Sequence, residues 1–434
     1  MRGGPDTARP PGRRRPGGGA LAAVLVLVAL NLRPAIASVP PVLPDIQRDL
    51  GLSGTAAGVL TALPVVCLGV FAPVAARLAA RFGVGRVVAA SLVVLGAGTL
   101  ARAAGGAAWL FAATLVAGAG LAVGGALLPG IVKANFPEDR AATVTGLYTT
   151  GLAGGALLAA ALTVPLRNLF GGSWAPALAL WALPAVAALA VWRRVAAVVG
   201  ADRPPGEPGP AAAGPAELPA AGPHPAELPA GGPHPAERTP GRQCGGLPWR
   251  SGLAWRVTLY TGLQSLLFYA ALTWLSPLYQ ARGWSAERAG ALLAVFSLAQ
   301  LVATLGLPVL ADRTGDRRPW IALSVGACTA GLLLVAVAPL AAPWPVAALI
   351  GFGVGGQFAM ALTLLVDVAA DPAASQRLSG MAFLVGYLLA AAGPAAVGGL
   401  YDATGGFTAA FLALTGIGVV TLALGVSVRR GPVV

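Results

Sequence analysis

The chain has 434 residues, 56% of them hydrophobic and only 10% charged, and a mean hydropathy of +0.76. No water-soluble fold has an interior large enough for that much apolar surface, so soluble enzymes and soluble binding modules are excluded. The formal charge of +13 would suit nucleic acid, but the basic residues lie in short segments between apolar runs and not on one face, so no nucleic-acid partner is expected.

Residues 1–19 form a basic tail with Arg13, Arg14 and Arg15. Together with the apolar run that follows and Ala35-Ile36-Ala37, this tail imitates a secretory signal with a cleavage site. The run continues through Arg33 to Pro44, however, and further spans follow, so it reads as an uncleaved first transmembrane helix. Apolar runs of about 20 residues, each enough to cross a roughly 30 Å hydrocarbon core, fall near 20–44, 54–76, 84–104, 108–132, 141–165 and 174–196. A second series falls near 254–279, 287–310, 320–340, 344–367, 374–400 and 407–428. The fold class is therefore an all-α membrane protein with twelve transmembrane helices in two six-helix pseudo-repeat halves, 20–197 and 253–428.

Between the halves, residues 198–252 are rich in Pro, Ala and Gly, and Pro-Ala-Glu recurs at Pro215, Pro225 and Pro235. Such a tract builds no core and reads as a cytoplasmic linker. It holds both histidines, His224 and His234, while Cys67, Cys244 and Cys328 are far apart. Metal, disulfide and acid–base chemistry have no equipment in the spans, no Walker-type phosphate loop is present, and no cofactor is implied. Placing the N-terminus inside leaves only Arg48, Arg102, Arg167, Arg282 and Arg288 external, with Arg33 in the membrane and the other 23 of 29 basic residues cytoplasmic. That bias puts both termini, including the tail 429–434, in the cytoplasm of a multi-pass inner-membrane protein.

The halves repeat at a nearly fixed offset. Gly83 matches Gly315, Trp109 matches Trp344, Gly118-x-Gly120 matches Gly351-x-Gly353, Gly124-Gly125 falls close to Gly355-Gly356, and Gly146 matches Gly380. Parallel six-helix repeats around a midplane site are the organisation of one large transporter class. The glycines read as close packing or as rocking hinges, and Gly386 and Gly393-Pro394 mark a bendable eleventh helix.

Arg33 stands about 20 Å along the first helix from Ala20, too deep to snorkel easily. A central Arg costs roughly 2.5 to 3.5 kcal/mol on insertion scales, so it faces a polar cavity or a partner. Every Asp and Glu falls in a loop, in the linker or at a helix end, which leaves a translocated anion as the counter-ion. The alternative is that Arg33 hydrogen-bonds carbonyls freed by Pro34 and Pro40 and locks the fold. Asn31, Tyr148, Gln264, Ser265, Tyr269, Gln300, Gln357 and Tyr387 are the further polar candidates for the cavity, with helix-to-helix hydrogen bonding as the bland reading of each. After the eighth span, Asp312-Arg313-Thr314-Gly315 puts an acid behind a helix, and pairing of Asp312 with a neighbouring helix N-terminus would hold one access state closed.

Several segments carry a resemblance to the major facilitator superfamily and, within it, to the cyanate and 2-nitroimidazole transporter family. They are Asn31-Leu32-Arg33-Pro34-Ala35-Ile36, Leu127-Leu128-Pro129 through Lys133 to Phe136-Pro137, and Gly146-Leu147-Tyr148. In the second half they are Trp255-Arg256-Val257-Thr258, Gly262-Leu263-Gln264-Ser265 with Tyr269, and Leu378-Ser379-Gly380-Met381 through Gly386-Tyr387 to Gly393-Pro394. Asp312-Arg313-x-Gly315 resembles the superfamily's cytoplasmic gating motif, whereas its first-half counterpart, Arg77 to Gly83 with Arg81, lacks the acid. Gly125 stands where the family has Asn. The resemblance implies a monomeric secondary transporter of a small anionic or compact polar solute, with protons as the coupling ion to test. Efflux of neutral drug-like compounds and a non-transporting receptor are the competing readings.

Overall fold

Pro34, Pro40 and Pro41 supply no backbone N–H, and the adjacent Pro40-Pro41 removes two successive helical donors, which favours a break in the first apolar run. In the computed structural model, which describes residues 18–195 and 247–428 apart from Gly315 and Asp371, this run is α1 (Gly18–Leu50). It comprises a helix Gly18–Leu32, a short helix Pro34–Ala37, a 3-10 turn Pro40–Val42 and a helix Leu43–Leu50. Gly51, left-handed at φ 63°, ends it. Ser53 then caps α2 (Gly54–Phe82), its hydroxyl accepting the N–H of Ala56. The first half continues with α3 (Val84–Ala101), α4 (Ala107–Asn135), α5 (Glu138–Leu169) and α6 (Trp174–Val195). The second half is α7 (Gly252–Gln280), α8 (Ala286–Thr314), α9 (Arg318–Val337), α10 (Pro343–Asp367), α11 (Pro372–Thr404) and α12 (Thr408–Ser427).

The twelve runs expected from the sequence are thus twelve helices, with shifts at their ends. The first continues past residue 44 to Leu50, and the third stops at Ala101, which leaves Arg102 in the following turn. Within each half the helices pack side by side, and α2 against α11 and α5 against α8 join the halves. Most of the linker, with His224, His234 and Cys244, and both tails lie outside the described residues.

Among the described residues eleven helices are long and apolar enough to cross a bilayer, and α7 is the one span of the twelve that is not. Its composition follows from its position. Of its 29 residues, 22 are buried, including every one from Gln264 to Tyr279. A helix enclosed by others need not be apolar, and α7 carries Thr258, Thr261, Gln264, Ser265, Thr273 and Ser276 inward.

The repeated glycines have equivalent jobs in the two halves. A Cβ on Gly118 would meet Pro64 and Cys67 of α2, and one on Gly120 would meet Ser91 and Leu95 of α3. Their counterparts do the same, Gly351 against Phe296 of α8 and Gly353 against Ser324 and Cys328 of α9. These are close backbone crossings, so the duplication is structural and the packing reading of the glycines holds at these crossings. Gly386 likewise meets Gly262 of α7, and α11 stays helical through Pro394. In α5 a Cβ on Gly155 would stand 2.1 Å from the Leu30 carbonyl oxygen, a backbone atom that cannot yield. Gly155→Ala is expected to cost about 1–3 kcal/mol by overpacking and to lower Tm in detergent. Gly154→Ala, whose Cβ meets nothing, is expected to be neutral or slightly stabilising in the same assay.

Candidate functional site

The break in α1 centres on the arginine singled out by sequence. Arg33 precedes Pro34 at φ −79° and ψ −29°, and its carbonyl accepts the N–H groups of both Ile36 and Ala37 at 3.0 Å. Its side chain is partly exposed and makes no hydrogen bond or ion pair among the described residues. Its guanidinium carbon lies 5.9 Å from the centre of the Phe268 ring, in α7 of the opposite half. The fold-locking alternative required Arg33 to satisfy carbonyls freed by the prolines. An open carbonyl of the break is met by Arg102 instead: fully buried, it donates from Nη2 to the Ala35 carbonyl at 2.9 Å. Arg33 is left free to act on something else.

Around Arg33 the second half contributes aromatic and small polar groups. Phe268 packs edge-on to Tyr269 at 4.8 Å between ring centres and stacks on Phe296 at 6.2 Å. Tyr387 of α11, stacked on Phe383 at 5.8 Å, lies within electrostatic reach of both Tyr269 and Arg33. Thr261, Ser265, Gly386 and Tyr387 share a small cavity between α7 and α11 with Phe358 of α10. Gln264 Nε2 donates to Ser265 Oγ at 2.7 Å and to the Thr261 carbonyl at 3.1 Å. In the first half Asn31 donates to the Leu27 carbonyl at 2.7 Å and keeps a buried Oδ1 without a partner among the described residues, while Tyr148 is buried on α5. Gln300 is half-buried on α8, its backbone against Gly355.

Gln357 falls elsewhere. It is fully buried and donates to the Ser324 carbonyl at 3.4 Å, a hydrogen bond between α10 and α9. The expectation of a cavity contact gives way at this residue to the bland reading, because its amide points along a helix–helix seam.

The carboxylates stand apart from Arg33. Asp45, at the end of α1, is buried, although it falls outside the apolar run in the sequence, and it is already paired with Arg167 at 2.8 Å and Arg48 at 3.2 Å. It stands twelve residues beyond Arg33, on the far side of the break.

Among the described residues, several hydrogen bonds between the halves gather at the end of the bundle that holds the α1–α2 turn. Asp402, near the end of α11, accepts the Gly54 N–H at Oδ1 and the Thr55 N–H and hydroxyl at Oδ2, each at 2.7 Å. Asn168 donates to Glu287 at 2.6 Å, and Gln280 donates to the Pro41 carbonyl at 2.9 Å. At the N-terminus of α9, Asp312 meets the side chain of the residue preceding that helix and, among the described residues, no backbone N–H. It pairs with Arg317, which also pairs with Asp367 at 3.2 Å, all within the second half. Burial alone would lower the Arg317 pKa, but the two carboxylates outweigh it and hold it above the ordinary value. Arg313 and Arg81 are exposed, Arg81 lying over Phe82 at 5.2 Å, and Gly315 lies outside the described residues. The contact with backbone N–H groups of a helix N-terminus expected of Asp312 is made by Asp402, at the other end of the bundle. Asp402 carries no local motif; only its contact across the halves marks it.

A twelve-helix bundle of two like halves is the architecture of a carrier, and the chain belongs to the Major Facilitator Superfamily, which residues 20–394 and, in a second overlapping match, 283–433 fit. It is 34% identical over 389 residues to the uncharacterized transporter YycB of Bacillus subtilis, covering 88% of this chain and 87% of that one. It is 31% identical to the 2-nitroimidazole transporter of Escherichia coli, covering 94% and 93%, and 31% identical to the cyanate transport protein CynX of the same organism, covering 94% and 97%. A bacterial homolog of the human lysosomal transporter Spinster, in an inward-facing and unoccupied conformation, shares the fold with a TM-score of 0.69 at 14% identity, over 96% of this chain and 99% of that one. The protein is a multi-pass membrane transporter of a small molecule and not an enzyme.

Proposed function

We propose that the protein moves a small anionic or compact polar solute, cyanate-like in size and charge, by alternating access, with Arg33 as its central charge. The observation that carries this reading is the Arg33 guanidinium itself, free of hydrogen bonds at the break of α1, while the carboxylates of the spans stand at helix ends. An unpaired cation at membrane depth is costly unless an anion or dipole joins it. The guanidinium offers adjacent N–H donors to the terminal atoms of a compact anion or nitro group, and the Phe268 face beside it suits a weakly hydrated one. Relatives named for cyanate and for 2-nitroimidazole fit both requirements.

The bias of Lys and Arg supports cytoplasmic termini in the inner membrane, which makes the Asp402 end external. Inward movement of a monoanion against 100 mV costs about 2.3 kcal/mol, so uptake requires proton coupling or consumption of the solute, and export requires neither. The aromatic groups Phe268, Phe383 and Tyr387 favour a second reading, efflux of neutral nitro-aromatic compounds.

Flux of labelled cyanate, monocarboxylates and 2-nitroimidazole into proteoliposomes under imposed pH and voltage gradients tests the proposal. Saturable cyanate flux is the expected result. Saturable flux of the neutral solute alone would establish the second reading, and binding without flux would make the protein a receptor.

A further inference from the structure

The sequence sorts Arg102 with the external basic residues, yet its side chain ends inside the bundle. The residue follows α3 and is fully buried. Its Nη2 donates to the carbonyl of Ala35, two residues after Arg33 and so about 3 Å along the helix axis. That carbonyl has no helical donor. The ladder of α1 lapses after the Ser38 N–H bonds the Pro34 carbonyl, and the next bond joins the Val42 N–H to the Val39 carbonyl. An unmet buried carbonyl is costly, and a neighbouring guanidinium is a strong donor for it. Nε and Nη1 of Arg102 are buried without an acceptor among the described groups, and Asp45, the buried acid of α1, is held by Arg167 and Arg48.

We propose that Arg102 is the positioning residue of the site: by bracing the Ala35 carbonyl it fixes the break of α1 and thereby the placement of Arg33, and it adds a second positive charge at nearly the same depth. Pro34 makes the break, and Arg102 sets its geometry. Phe268 bounds the space in front of Arg33, so a shift of the break moves the cation relative to the aromatic face that a solute would share. The charge on Arg102 is offset by a carbonyl dipole and not by a carboxylate, so it raises the potential felt by an anion and leaves a neutral solute nearly indifferent.

This inference rests on the proposed anion reading for its flux readout, and a substrate-free readout separates the two. Arg102→Met and Arg102→Lys are compared with wild type for cyanate and 2-nitroimidazole flux. With Arg102→Met, the KM for cyanate is expected to rise about tenfold with Vmax within threefold, while the KM for 2-nitroimidazole changes less than twofold. Arg102→Lys keeps the charge and one donor and restores most of the cyanate KM. In parallel, a cysteine at position 33 (Arg33→Cys, with Cys67, Cys244 and Cys328 replaced) is reacted with a water-soluble maleimide. Its rate is expected to change at least fivefold on adding Arg102→Met and less than twofold on adding Arg102→Lys. An unchanged rate, or an equal loss of flux for both solutes with both KM values intact, overturns the proposal. If wild type carries no cyanate, the anion reading fails, and the thiol rates alone decide whether Arg102 places residue 33. Should Arg102→Met not fold, Arg102→Gln serves with the same criteria.

Discussion

Arg33→Gln is expected to reduce cyanate flux by about a hundredfold or more while leaving the protein folded and its Tm unchanged or raised. The loss follows from the bonds removed. Hydrogen bonds to charged groups contribute roughly 1.5–3 kcal/mol each, and two guanidinium N–H groups can converge on one terminal atom of the linear cyanate ion, so about 3 kcal/mol or more is at stake. The stability half of the expectation has the opposite sign from the usual buried-charge mutation. Removing one member of a buried pair is destabilising because it strands the other charge. Arg33 has no carboxylate partner to strand among the described residues, and glutamine avoids much of the roughly 2.5 to 3.5 kcal/mol that an arginine costs at the bilayer centre. Arg33→Lys keeps the charge and loses the planar fork, so it is expected to retain part of the flux, at a KM about tenfold higher. Flux in proteoliposomes and thermal unfolding in detergent check the pair of effects. A fall in Tm with flux per folded molecule preserved would instead make Arg33 a structural strut.

The fold was largely legible because lipid imposes two rules that sequence displays directly: spans must be apolar for about 20 residues, and the halves of a duplicated chain must pack alike. The glycine pairs Gly118-x-Gly120 and Gly351-x-Gly353 announced the second rule, and their matching contacts confirm it. Span α7 is legible because its apolar residues outnumber its polar ones, and its enclosure shows in sequence only as the Thr, Ser and Gln side chains that set it apart from the other spans. The site was legible only at Arg33. A span is read from backbone position, and a long side chain ends far from its own backbone. Arg102 was therefore sorted with the external positive charges although its guanidinium caps a carbonyl beside the site. Asp45 was sorted with the loops for the converse reason, because the prolines let α1 continue as separate short helices past the end of its apolar run. Gln357 shows the remaining limit. On an amphiphilic helix, which polar face meets the cavity is decided by the neighbours, and α9 claims that one.

Asp402→Asn is expected to shift the conformational equilibrium toward states open at the α1–α2 end, roughly 5- to 30-fold. In the closed arrangement its two oxygens accept three donors from the first turn of α2, where the helix dipole also favours a negative charge. Asparagine has one acceptor oxygen and turns an N–H toward the donors, so at least one bond is lost and the dipole term with it. A net loss of about 1–2 kcal/mol, reduced by solvent at this exposed end, corresponds to that population change. The effect is concentrated because the helices touch closely just below: a Cβ on Gly398 would stand 2.0 Å from the Gly54 carbonyl oxygen, and one on Gly58 would stand 2.2 Å from the Pro394 carbonyl oxygen. The two segments cannot be separated by small side-chain adjustments; they part as bodies or stay together. Distances between spin labels at the outer ends of α2 and α11 would report the change, with a longer population growing in Asp402→Asn. Asp312→Asn is the informative comparison, since Asp312 pairs with Arg317 inside the second half and bridges nothing to the first through that pair. It is expected to leave the α2–α11 distance distribution as in wild type. Equal shifts in both variants would return the latch to the loop after α8, and no shift in either would mean that glycine packing at the crossing, and not the carboxylate, holds the halves together.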